Sequence, residues 1–106
     1  MKEHIVATDA LHAWTVEIWE KAGSSNEEAR LTADHLVGAN LAGHDSHGVG
    51  MVPRYVKSWR GNSLQLNRKI ELAVDTGAMV VADGGMGMGQ SVSHQAMLLG
   101  IERAKQ

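Results

Sequence analysis

Apolar side chains at Leu11, Trp14, Ile18, Trp19 and Ala22 return every three or four positions, the period of a helix with one face turned inward. The spacing predicts a helix over 9–22. Thr8 or Asp9 is placed to cap its free N–H groups, and Gly23 follows its end, where a left-handed residue costs little. Ser25-Asn26-Glu27-Glu28 then has the form of a capping box. Ala29, Thr32, Ala33, Leu36, Val37 and Asn40 share one face behind it, predicting a second helix over 26–42 that stops at Gly43. The short turn between the two predicts antiparallel packing. The acidic residues of both helices and the three Trp residues read as solvated faces and as core packing, respectively. Val52, Tyr55, Val56 and Trp59 give an apolar face to a third helix over 53–60, with Pro53 in its first turn and Gly61-Asn62 closing it.

The period then shortens. Lys69-Ile70-Glu71-Leu72-Ala73-Val74-Asp75 alternates, the pattern of a half-buried strand over 69–75. Thr76-Gly77 makes a turn, and the apolar run Met79–Ala82 predicts a second strand over 79–83 paired with the first. A glycine-rich loop from Asp83 to Gly89 leads into a last helix over 90–105, with Val92, Ala96, Leu99 and Arg103 on one side. Helices and a strand pair in this order make an α+β fold. Two strands are few for an independent sheet, so further chain is expected to complete it.

Composition narrows the function classes. Hydrophobic residues make up 43% and charged residues 21%, which excludes a disordered tail. A net charge of −2 points to neither nucleic acid nor an anionic membrane surface. The chain has no cysteine, which removes disulfides, thiolate nucleophiles and Cys-based zinc sites. No apolar run reaches the ~20 residues of a membrane span, and the first residues lack the apolar stretch of a signal peptide. A cytoplasmic protein is the expectation.

Two segments could carry chemistry. His44-Asp45-Ser46-His47-Gly48-Val49-Gly50 places a hydroxyl donor, a carboxylate and imidazoles side by side, and histidine is the natural acid/base near neutral pH. The same residues can equally cap a turn and stand in solvent. His44 and His47 also have the spacing of two metal ligands, with no third nearby, so no metal is expected. The second segment, Asp83 to Gln90, invites a phosphate-cradling reading. However, Gly85-x-Gly87 would need a glycine where Gln90 stands, and the dinucleotide fingerprint fails. A tight strand-to-helix connection is the competing reading. Tyr55 lies on the apolar face of its helix with its hydroxyl within reach of a glycine loop.

The stretch Ala39 to Val56, centred on Gly43-His44-Asp45-Ser46-His47-Gly48 and followed by Pro53 and Tyr55, resembles the signature of the malate/L-lactate dehydrogenase family. This family does not use a Rossmann fold. Gly50-Met51 before the proline resembles its bacterial hydroxycarboxylate dehydrogenase branch, and nearly the whole chain is covered. The resemblance implies an oxidoreductase exchanging a hydride between NAD or NADP and a 2-oxo or 2-hydroxy carboxylic acid. It implies that His47 carries the proton on the substrate oxygen, that Ser46 orients it, and that His47 also meets the nicotinamide end of the cofactor. Tyr55 and Arg54 are the substrate-side candidates. Many members carry an arginine four residues after the histidine as a carboxylate clamp, where this chain has Met51. A larger or more apolar 2-oxo acid is therefore expected, with Arg54 the guanidinium one turn along. Members are longer and resemble homodimers. The expectation is a single N-terminal segment, 1–106, of such a fold, inactive alone. A non-catalytic α+β interaction module, with the Asp45–Gly48 loop a plain turn, is the alternative.

Overall fold

The computed structural model describes residues 3–106. They group into two compact units, one ending at Tyr55 and one running from Val56 to Gln106. The element order is α1 (Thr8–Ala22), α2 (Asn26–Leu41), α3 (Val52–Arg60), β1 (Glu71–Asp75), β2 (Val80–Asp83) and α4 (Gly89–Ala104). Two short 3₁₀ turns, Asp45–His47 and Val49–Met51, lie between α2 and α3. The α+β pattern of four helices and an antiparallel strand pair is the one the sequence predicts. No described helix is long and apolar enough to cross a membrane.

In the first unit α1 packs on α2. Gly23 ends α1 with φ 119°, and its N–H reaches back to the Trp19 and Glu20 carbonyls. Ser25 Oγ accepts from the Glu28 N–H at 3.1 Å, the backbone half of the expected capping box. Ala29, Thr32, Ala33, Leu36 and Val37 are all buried, so the predicted α2 face is the observed one. The buried hydroxyls of Thr15 and Thr32 donate to the carbonyls of Leu11 and Glu28 one turn back, so they enter the core with their polar atoms satisfied.

Three expectations are corrected here. The residue preceding α1 is Ala7, with no side-chain cap: the helix begins at Thr8, which puts Asp9 inside the first turn, where its charge complements the helix dipole. Glu28 is buried, not solvated, and accepts a 2.7 Å hydrogen bond from Ser24 Oγ. Of the tryptophans only Trp19 is buried: the inward stripe of α1 runs through Thr15 and Trp19, four apart, and leaves Trp14 at 55% exposure. Trp59, on α3, is half-buried.

In the second unit β1 and β2 pair with Leu72 opposite Ala82 and Val74 opposite Val81, so Ala73 is an extra residue in β1. Residues directly opposite share a face, and neighbours Val81 and Ala82 point to opposite faces. The bulge therefore sends Leu72 and Val74 to different sides. Asp75, opposite Val80, lands on the side of Leu72 and Ala82, which is the side facing α4. The expected half-buried β1 is corrected for this reason: all five of its residues are exposed, because the bulge breaks the alternation that would have gathered one apolar face. Gln95 of α4 ties down the segment before β1, accepting from the Ile70 N–H at 2.9 Å and donating to the Arg68 carbonyl at 3.0 Å.

Arg103 grips Asp75 with two bonds, 2.9 Å and 2.7 Å, and reaches the Gly77 carbonyl at 3.2 Å. The guanidinium hydrogen bonds, helped by the Gly77 N–H, hold the Asp75 carboxyl well below the usual carboxylate range. A carboxyl whose folded-state affinity for protons is lowered stabilises the fold above its unfolded pKa, and that stabilisation disappears as pH falls toward its folded value. Thermal melts should therefore show wild type above Asp75→Asn at neutral pH. The gap should narrow once pH drops below about 4, the unfolded carboxyl value. A gap that does not change with pH would remove the ion pair from the fold's stabilising contacts.

Candidate active site

The site is built at the C-terminal end of α2. The helix closes through Ala42, and Gly43 turns left-handed at φ 78°, a conformation that glycine adopts without strain. The His44 N–H returns to the Ala39 carbonyl at 2.8 Å, which fixes where the next residues start. Asp45–His47 then makes a 3₁₀ turn, with the His47 N–H on the His44 carbonyl and the Gly48 N–H on the Asp45 carbonyl.

This turn brings Ser46 and His47 together, with the Ser46 hydroxyl 3.0 Å from His47 Nδ1. When the hydroxyl donates to Nδ1, the ring proton sits on Nε2, which leaves that edge as a donor. The His44 ring stands edge-on to His47 with centroids 4.3 Å apart. All of His44, Asp45, Ser46 and His47 are exposed, so a substrate oxygen can approach. Of the substrate-side candidates, Arg54 is exposed and Tyr55 is half-buried with its ring 6.5 Å from that of Trp19. Tyr55 thus lies beside Trp19 of α1, and Met51 is half-buried in the turn that leads into α3.

Sequence reasoning missed Asn40. Its place on the apolar stripe of α2 suggests packing, but it is only half-buried and its amide is engaged on both sides. Nδ2 donates to Asp45 Oδ1 at 2.9 Å, and Oδ1 accepts from the Val49 N–H at 2.8 Å. An amide in the last turn of a helix, followed by Gly-x-Asp, was the available signal.

The second glycine segment does not fit a dinucleotide. A Cβ at Gly84 would crowd Val92 at 3.1 Å, and one at Gly87 would meet Arg68 at 2.8 Å and the Gly84 carbonyl at 2.9 Å. Side chains of the protein already occupy the space these glycines leave. Asp83 Oδ1 accepts from the Gly85 N–H, and the Met86 carbonyl accepts from the Gln65 N–H. The loop is a tight connection from β2 to α4, and no chemistry is assigned to it.

The family model described as malate/L-lactate dehydrogenase matches residues 6–106. The chain belongs to that family. Within it, the chain is 47% identical over 103 residues to hydroxycarboxylate dehydrogenase B of Escherichia coli (strain K12), covering 97% of this chain and 28% of that protein. It is 34% identical over 100 residues to a malate dehydrogenase of Pyrococcus abyssi, covering 94% of this chain and again 28% of that one. The solved sulfolactate dehydrogenase of Methanocaldococcus jannaschii superposes with a TM-score of 0.91 at 32% identity, over 97% of this chain and 30% of the other. The chain thus spans under a third of the length of these malate/L-lactate dehydrogenase relatives.

Proposed function

We propose that this chain carries the proton-transfer part of a 2-hydroxy acid dehydrogenase site. Reducing a 2-oxo acid puts a hydride on carbon and a proton on oxygen, and His47 handles that proton, giving it in reduction and taking it in oxidation. The observation that carries this reading is the 3.0 Å contact of Ser46 Oγ with His47 Nδ1 on an exposed turn, within a family of dehydrogenases. Ser46 holds the ring so that its other nitrogen faces outward. NAD or NADP, when bound, supplies or removes the hydride. His47 is the residue proposed to meet its nicotinamide end, and no other described residue is assigned to holding it.

The substrate is a small-molecule 2-oxo or 2-hydroxy acid. With Met51 in the position where many relatives carry arginine, a carboxylate clamp is absent there, which favours a more apolar acid. Arg54 and Tyr55 remain the substrate-side candidates. A cytoplasmic homodimer is the proposed setting.

The test joins the chain to the remainder of the E. coli K12 relative in place of its matching 103 residues. The chimera should oxidise NADH or NADPH with pyruvate, phenylpyruvate or 2-oxoglutarate. The isolated chain should not, because orienting two reactants accounts for about 7–11 kcal/mol of such a barrier and a lone proton carrier cannot supply it. A folded but silent chimera would overturn the reading, and steady turnover by the isolated chain would show that it is more than part of a site.

A further inference from the structure

We propose that Asn40 is the positioning residue of the Ser46–His47 pair, and that position 48 is glycine to admit its side chain; this rests on the reading of His47 as the proton carrier. The turn that holds the pair has little else to fix it. It is 3₁₀, with weaker hydrogen bonds than an α-helix, and the four side chains from His44 to His47 lie in solvent rather than in a packed interior. A proton carrier held loosely is a poor one, since catalytic groups need placement to about half an ångström.

The Asn40 amide supplies two fixed points, one on each side of the pair. Nδ2 holds the Asp45 carboxylate at 2.9 Å before it, and Oδ1 holds the Val49 N–H at 2.8 Å after it. Asn40 can do this because it stands in the last turn of α2, whose inner face is packed. A primary amide offers a donor and an acceptor on neighbouring atoms. A carboxylate in its place could take the Val49 N–H but could give nothing to Asp45. The other half of the device is Gly48. Its φ of −91° is open to any residue, so glycine is not needed there for backbone conformation. It is needed for space, because a Cβ at Gly48 would overlap the Asn40 amide.

Amide exchange and imidazole ¹⁵N spectra of the labelled chain test this without reference to turnover. Asn40→Ala should speed exchange at the Val49 N–H by about tenfold, the scale of one lost hydrogen bond. It should also move the His47 ring resonances as the Ser46 contact loosens. Asn40→Asp keeps the acceptor and should leave Val49 exchange within about twofold of wild type, while the His47 resonances still move because Asp45 is released. Gly48→Ala should mimic Asn40→Ala, and the two together should do less than their sum, since the overlap disappears with the amide. Far-UV circular dichroism and α2 amide protection report that the fold is intact. An Asn40→Ala chain that is folded and keeps wild-type Val49 exchange and His47 spectra overturns the proposal. Where that variant does not fold, an unchanged His47 spectrum in Asn40→Asp does the same. Failure of the proton-carrier reading shows elsewhere, as unaltered turnover when His47 is removed.

Discussion

Replacing His47 with alanine in the E. coli chimera is expected to lower kcat for 2-oxo acid reduction by about two to four orders of magnitude, the usual loss when a general acid is removed. The effect should fall on kcat more than on KM. The proton reaches the substrate oxygen as the hydride reaches carbon, so His47 acts chiefly in the transition state, and a group of that kind lowers kcat and kcat/KM together. His44 stands edge-on at 4.3 Å but lacks the Ser46 contact, so it is not expected to take over. Stopped-flow measurement of NAD(P)H oxidation at saturating substrate, with circular dichroism to confirm the fold, decides the matter. Turnover within about threefold of the unmodified chimera, far short of the loss expected for a general acid, would leave His47 as a surface turn residue.

Trp19→Ala should be the most damaging single change to the first unit. Trp19 is fully buried beneath the α1–α2 contact, and its ring leans toward Tyr55. Truncating a buried Trp costs about 3–5 kcal/mol through lost contacts and the cavity left behind. The total stability of a small domain is only about 5–15 kcal/mol, so urea unfolding of the variant should begin with little or no native baseline. Trp19→Phe should cost much less. The indole Nε1 is buried with no hydrogen-bond partner among the described residues, and phenylalanine removes that orphaned donor while filling most of the space. Equal midpoints for wild type and Trp19→Ala would mean that the α1–α2 contact does not hold the unit together.

The elements were legible wherever one face is plainly apolar and its boundaries carry glycine or a capping side chain. The buried positions of α2 follow its helical period, and Ser25 caps it as its residue type suggests. What the sequence hid was polar atoms satisfied locally. Glu28 reads as solvent-facing until a hydroxyl at 2.7 Å takes up its hydrogen bond, and Thr15, outside the apolar stripe of α1, enters the core because a carbonyl at 2.8 Å accepts from it. At the site, the Ser46–His47 contact was legible from adjacency and motif. Asn40 was not, because its partners lie five and nine residues ahead, and only the Gly43 turn brings them back. The β1 strand misled for a related reason: alternation predicts a face only while the register is unbroken.

That break has an implication for length. With Ala73 looped out, Val74 and Asp75 have exchanged the sides that an unbroken strand would give them. Deleting Ala73 would close the bulge and leave Val74 opposite Val81 and Asp75 opposite Val80, so both would keep their sides. Straightening the strand with Ala73 kept in it would instead turn Val74 toward α4 and carry Asp75 away from Arg103. The hairpin therefore works as a sorting device whose setting is one residue of chain. Elsewhere along this strand an insertion or deletion that no bulge absorbs changes which chemistry meets the helix, whereas many substitutions change only how well it fits.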